Sequence, residues 1–408
     1  MVHITLRLCT AAVESPYSID QALGLQYFIT NTPGIGGKLR RHIEDFVVEE
    51  LPRAFPHCES GEYVHFTLEK TNWETTAAVG EIAKSLGISP TRFGYAGNKD
   101  KRALTRQRVG AWHVKQSRLK QIRINGIRLS DAVVTDSRLC IGDLEGNRFS
   151  IVVRNPDPPS GQLCETLRET REQMDAHGIP NYYGYQRFGT IRPNSHIVGQ
   201  RLVEGDMEGA VMSYLGNPSP AEREDAKHAR QYVEETRDYS GALKLYPKRL
   251  RYERLMLEHL IKNCSDYVGA IRTLPRNIGR LLVQSYQSHI FNRSLSAIIK
   301  AGFDIENSIL PLIGFRTRIG DGPEHEIVKA ILESEGVSHR DFYVRAIPEL
   351  SSEGAMRTAS LRTEICFTIQ EMNSETKENA VNFEFSLPPA CYATIVLREF
   401  MKADPSAY

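Results

Sequence analysis

One carboxylate stands alone in the most basic stretch of the chain. Between Arg92 and Arg128 there are eleven lysines or arginines and a single acid, Asp100. Asp100 closes the segment GYAGNKD (94–100), whose two glycines let the backbone approach closely just ahead of it. Beyond it, Lys101, Arg102, Thr105, Arg106, Gln107 and Arg108 are donors that suit phosphate oxygens. Opposite charge all around is expected to hold Asp100 ionised. An ionised carboxylate is a nucleophile or a weak base and is useless as an acid. On residues alone it could equally be a surface ion-pair partner, and both readings stand.

A second constellation is NYYGYQRFG (181–189), which packs four aromatics and Arg187 into nine residues. Flipped bases are held between aromatic and guanidinium planes, and each base–aromatic stack contributes about 1–3 kcal/mol. An aromatic corner packed under a turn would use the same residue types. A third is SYQSHIFN (285–292), where polar side chains sit on a helix that otherwise reads as core. Buried polar groups need partners. They therefore either tie two domains together, the preferred reading, or line a site.

Missing motifs narrow the chemistry. The chain has no GxxxxGK[ST] for a nucleoside triphosphate, no GxGxxG after a strand and no GxSxG elbow. The HxE…PCxxC signature of zinc deaminases is absent too. Seven cysteines without a CxxC pair point to reduced thiols, and neither a metal site nor a cofactor is expected.

The elements that must position these residues belong to an ordinary globular chain. At 408 residues, 41% hydrophobic and 25% charged, it has room for two or three domains. No apolar run reaches the length of a membrane span, and MVHITLRLCTAA lacks the apolar block of a signal peptide, so a cytoplasmic protein is expected. Net charge is only +1, but it is segregated. A second basic cluster, 244–254, sets five bases against Glu253, while acids gather around 204–238. One face suited to a polyanion would explain this. Solvated faces that happen to cluster would also do so.

Residues 38–50 end in a β-branched run and read as a strand, as does the alternating 63–68. A helix capped by Thr75 or Thr76 should run through Leu86 and stop at Gly87. Residues 93–97 read as a glycine-broken turn, and 132–139 with 148–154 as a β-hairpin. A helix follows near 161–177, helices fill 196–270, a long buried one covers 281–300, and 303–367 mixes short strands with glycine turns. The chain closes with a strand, a Pro-Pro break and a helix. That last strand needs a partner, and pairing with the first domain's sheet makes the middle an insertion. The fold class is α+β on a mixed sheet.

Six segments in this order resemble the TruD family of tRNA pseudouridine synthases: EDFVVEE (44–50), KTNWET (70–75), GYAGNKDKRALTRQ (94–107), NYYGYQRFG, SYQSHIFN and LPPACYATIVLRE (387–399). The resemblance covers most of the chain. It implies a pseudouridine synthase catalytic domain with a mixed, mainly antiparallel sheet (1–192 and 370–408) and an inserted α+β domain (193–369). It places the catalytic aspartate at Asp100. Tyr183 falls where the family usually has the Phe that stacks on the target base. Spacing from EDF puts the expected basic partner at Arg40, with Arg41 adjacent. Phe46 and Asn181 become neighbours in the base pocket, and Lys99, Lys101, Arg102, Arg106 and Arg187 become RNA contacts. The implied substrate is uridine 13 in the D arm of tRNA, handled without a cofactor and by a monomer. A non-catalytic RNA-binding or RNA-folding protein, or an RNA methyltransferase needing an added donor, would share the basic patch.

Overall fold

The computed structural model describes residues 12–370 and 379–408; Cys9 and all but the last residue of MVHITLRLCTAA lie outside them. The chain gathers into two compact units. One comprises Thr32–Gln173 with Arg362–Tyr408, the other Met174–Leu361 with the chain up to Asn31. By compactness, then, the NYYGYQRFG segment goes with the helical unit, whereas the sequence reading grouped it with the sheet.

The first unit is built on one eight-stranded sheet. Its strands are β1 (Phe46–Pro52), β2 (Tyr63–Thr71), β3 (Phe93–Tyr95), β4 (Leu104–Trp112), β5 (Ile127–Thr135), β6 (Leu144–Arg154), β7 (Cys366–Gln370) and β8 (Ala380–Leu387). They lie in the order β7-β8-β6-β1-β4-β2-β5, with β3 alongside β4. Every neighbouring pair is antiparallel except β1 and β4. The sheet is mixed and mainly antiparallel. The last strand returns to it, setting Val381, Phe383 and Phe385 opposite Val153, Ile151 and Phe149. Phe400, on the buried helix Ala393–Met401, packs its ring 5.0 Å from that of Phe383.

Three local expectations are corrected. β5 and β6 do not form a hairpin, since β5 pairs with β2 while β6 lies between β8 and β1. Their connection, residues 136–143, is longer than the 2–5-residue loops that close hairpins. Residues 93–95 are a strand rather than a turn. Gly94 serves close packing there, because a Cβ would sit 2.2 Å from the Leu139 carbonyl oxygen. The helix Thr75–Leu86 ends at Gly87 in the left-handed conformation, but its N-cap is Glu74, and no side chain caps it. The Thr75 hydroxyl is used elsewhere.

The parallel pair β1–β4 decides which loops meet. Strands that run parallel side by side begin at the same end of a sheet, so the residues preceding β1 and those preceding β4 become neighbours.

The second unit is mainly helical. Six helices run from Ser195–Glu204 to Tyr267–Arg272, and the first and last of them pack on the helix Arg276–Lys300, whose Leu282, Val283, Tyr286, Ile290 and Leu295 are buried. The 303–367 segment also holds a helix, Pro323–Glu335, that the sequence reading passed over. Pro323 at its first position and the left-handed Gly336 at its end are its terminal signals. Among the described residues no helix is long and apolar enough to cross a membrane.

Candidate active site

Asp100 sits in the loop that leads into β4, and Arg40 lies in the segment leading into β1. The parallel pairing brings them together. Arg40 Nη2 donates to Asp100 Oδ1 at 2.9 Å. The Arg40 backbone takes the left-handed conformation (φ 55°), a position unusual for a residue with a side chain. Its guanidinium lies 4.1 Å above the centre of the Phe46 ring. Phe46 is therefore a buried platform for Arg40, 1% exposed, and its ring is not open to a base. The Asp100 side chain keeps 34% of its exposure and can still be reached.

The Asp100 loop is pinned by side chains from three elements. From β2, the fully buried Lys70 donates its Nζ protons to the Trp73 carbonyl at 2.7 Å and the Asp100 carbonyl at 2.9 Å. Thr75 accepts from the Lys99 amide at 3.0 Å and donates to Gln107 Oε1 at 3.0 Å. Gln107, on β4, donates to the Gly97 carbonyl at 3.0 Å. Burial lowers the Lys70 ammonium to about 8, and the Asp100 charge pulls the other way. A lysine inside KTNWET gives no sign in sequence of being the buried anchor of a loop thirty residues on.

The basic stretch is less uniform than its charge count suggested. Lys101 and Arg102 are exposed beside Asp100. Arg106 is half exposed and pairs with Glu69 on the facing strand at 2.7 Å. Lys99, expected to meet phosphate, is buried and lies 2.9 Å from Glu50, whose side chain is 1% exposed. It is a structural ion pair and is removed from the RNA-facing set. Arg92, Arg108 and Arg118 give guanidinium protons to backbone carbonyls of Trp112, Arg53 and Leu86.

The aromatic segment 181–189 is held by the polar face of the helix Arg276–Lys300. Asn292 accepts from the Tyr183 amide at 2.8 Å and donates to the Tyr183 carbonyl at 3.0 Å. Ser285 donates to the Arg187 carbonyl at 2.9 Å, and Arg187 Nε donates to Ser288 at 3.0 Å. These polar residues thus clamp the segment inside one compact unit.

The Tyr183 ring meets Phe291 edge to face at 5.7 Å and carries the Arg357 guanidinium 4.2 Å above its centre, with that of Arg187 at 5.5 Å. Arg357 is aimed by Asn181. The Asn181 Oδ1 and carbonyl oxygens accept from Arg357 at 2.5 and 3.1 Å, and its Nδ2 donates to Thr358. Asn181, 2% exposed, therefore orients the arginine against the face of the ring. Arg357 was missed because nothing in EGAMRTAS marks it. At the other end of the segment Phe188 packs edge to face on His196, which lies 4.8 Å from His289. Burial pushes His196 down to about 4 and His289 to about 3.

Known proteins are similar to this chain along most of its length. The family model described as tRNA pseudouridine synthase D (TruD) matches residues 22–310 and 307–400. The chain is 34% identical to a protein of Methanococcoides burtonii named "Probable tRNA pseudouridine synthase D", across 95% of this chain and 98% of that one. It is 40% identical to one of the same name from Methanopyrus kandleri, across 84% and 86%. The crystal structure of a Methanosarcina mazei protein that carries TruD in its name matches with a TM-score of 0.82 and 35% identity, over 97% of this chain and 100% of that one.

Proposed function

Because this chain belongs to the TruD family of tRNA pseudouridine synthases, we propose that it isomerises uridine 13 in the D arm of tRNA to pseudouridine, with Asp100 as the catalytic carboxylate. The observation that carries this reading is the accessible Asp100 carboxylate, held at 2.9 Å by Arg40 on a loop pinned from three elements. The reaction breaks the N1–C1′ bond, turns the uracil and bonds C5 to C1′. Nothing is oxidised or hydrolysed, and the proton leaving C5 balances the one gained at N1, so no cofactor is called for.

Three roles for the carboxylate are consistent with this geometry: attack on C1′, removal of a proton to give a glycal-like species, or addition to C6 of the base. Each uses it as the ionised carboxylate. Glu50 is buried against Lys99, out of reach of a water that it would have to activate as a glycoside hydrolase does. Water kept from C1′ allows the detached base to be recaptured.

Uridine reacts only outside the stack, at a flipping cost of a few kcal/mol. In this reading Tyr183, braced by Arg357 and Phe291, is the ring on which the base stacks, with Asn181 acting through Arg357. Lys101, Arg102, Arg106 and Arg187 meet phosphates, which sets affinity and salt dependence more than base choice. In this reading the catalytic domain is the sequence span 1–192 and 370–408, although 174–192 group by compactness with the helical unit, 193–369 are the insertion, and the protein works as a cytoplasmic monomer.

The test is tritium release from C5-labelled uridine in tRNA, with no small molecule added. Wild type should release label and Asp100→Asn should not. Appreciable release by Asp100→Asn overturns the assignment of Asp100. A wild type that binds tRNA yet leaves every uridine unchanged overturns the enzyme reading.

A further inference from the structure

Beside Tyr183 the helical unit opens into a cleft of about 560 Å³, within the size range of small-molecule sites. One wall is a basic row. Arg276, Arg280 and Gln284 recur every fourth residue on the helix Arg276–Lys300 and so stand on one face. The row continues to Arg187, whose Nη2 reaches Gln284 at 3.5 Å. Arg280 is exposed and makes no ion pair or side-chain hydrogen bond among the described residues. Arg276 gives its Nε to the Glu349 carbonyl at 3.4 Å.

Two acids reach the same cleft, and each is occupied: Glu349 pairs with Arg272 at 3.0 Å and Glu353 with Arg316 at 3.3 Å. The charge left over is positive. The other wall is aromatic. Phe315 and Tyr343 meet edge to face at 5.5 Å, and Tyr343 is 46% exposed. A large ring held half in solvent beside unpaired cations suits a nucleobase with its phosphate, since stacking and charge neutralisation are the two terms that bind single-stranded RNA.

Resting on the pseudouridine synthase reading, we propose that this cleft is a second nucleotide subsite. It takes the neighbour of the flipped uridine, with its base on Tyr343 and Phe315 and its phosphate between Arg276 and Arg280. Tyr183 lines the same cleft, so the two nucleotides follow each other along one strand. The subsite would let the enzyme read the context of its target.

The experiment uses the full chain and three RNAs, a tRNA carrying the target uridine and the same tRNA with an abasic nucleotide on its 5′ or its 3′ side. For wild type, removing the base on one side should weaken binding about tenfold, the size of one stacking contact. Tyr343→Ala should bind the intact tRNA about tenfold more weakly and be indifferent to the abasic change. Tyr343→Phe should restore the sensitivity. In the double variant Arg276→Ala/Arg280→Ala, the slope of log K against log salt should fall by about 0.7, the value of the one single-strand phosphate held between them. Lys300→Ala, about 30 Å beyond Arg280 along the same helix at 1.5 Å per residue, should keep the wild-type slope.

An unchanged salt slope in the double variant overturns the phosphate half of the proposal. Abasic sensitivity that is missing in wild type, or retained by Tyr343→Ala, overturns the base half. Failure of the enzyme reading shows differently, as a wild type that binds but does not isomerise the intact tRNA.

Discussion

Lys70→Met tests whether the Asp100 loop depends on a single buried ammonium. Lys70 is fully buried, so it cannot touch RNA, and its effect on turnover must pass through the loop. Its bonds to the Trp73 and Asp100 carbonyls are charge-assisted, each contributing about 1.5–3 kcal/mol. Against them stands the cost of burying the charge. The fall from 10.5 to about 8 corresponds to about 3 kcal/mol at 1.36 kcal/mol per unit. The remainder is about 0–3 kcal/mol, so the apolar methionine should cost no more than about 3 kcal/mol of stability. Position is another matter, because a displacement of about 1 Å at a reacting group can cost about a hundredfold in rate. We therefore expect single-turnover pseudouridine formation at saturating enzyme to slow about a hundredfold, with tRNA affinity within about threefold of wild type.

The pH profile separates loop loosening from unfolding. Between about 8 and 10.5 the folded protein has shed this proton while the unfolded chain keeps it. The unfolded state binds more protons there, so this group's contribution to stability rises with pH. A rate that declines above pH 8 while stability holds is the expected signature. A folded Lys70→Met variant that turns over at the wild-type rate would refute the reasoning.

Other perturbations probe separate parts of the molecule. Lys99→Met should leave Glu50 as an unpaired buried charge and cost about 3–5 kcal/mol in chemical denaturation; a fall in the salt slope of tRNA binding, as expected for Lys101→Ala, would instead restore Lys99 to the RNA-facing set. Tyr183→Phe should keep most of the activity, whereas Tyr183→Ala should lose about ten- to a hundredfold in kcat/KM, the value of one base stack; equal losses in steady-state assays would mean that the hydroxyl matters more than the ring. As pH falls below 6.5 the unfolded chain takes up protons that His196 refuses until about 4. Stability should therefore drop by about 3 kcal/mol between pH 6.5 and 4 from this residue alone, and urea titrations of His196→Leu with the wild-type pH slope would count against it.

Sequence carried the local signals well and the distant ones poorly. The strands expected at 38–50 and 63–68, found at 46–52 and 63–71, the helix ending at Gly87 and the long helix through 281–300 are marked by alternation, periodicity and glycine, which depend on near neighbours. The Asp100 segment was visible for the same reason, as glycines and charges crowd into a few residues. Lys99 was misplaced because a charge count cannot see that Glu50, from another strand, follows it into the interior. Lys70 was overlooked because a buried lysine and a surface lysine are the same letter. Arg357 lies far along the chain from Asn181 and Tyr183, and only folding sets it against the ring. The false hairpin at 132–154 came from adjacency in sequence, whereas burial on both flanks of β6 demanded two other partners.

The return of β8 to the sheet has a consequence for how the chain is made. β6 leaves the ribosome by Arg154, but the strand that covers its outer edge begins only at Ala380. At ~5–20 residues per second that interval is on the order of ten to forty seconds. Throughout it the amides and carbonyls beside Phe149, Ile151 and Val153 form an open edge of the kind that recruits foreign strands. A chain stopped between Arg154 and Ala380 already contains Asp100, Arg40 and Lys70 and still presents that open edge. The sheet that carries Asp100 and Arg40 is therefore closed at this edge only by the final strand.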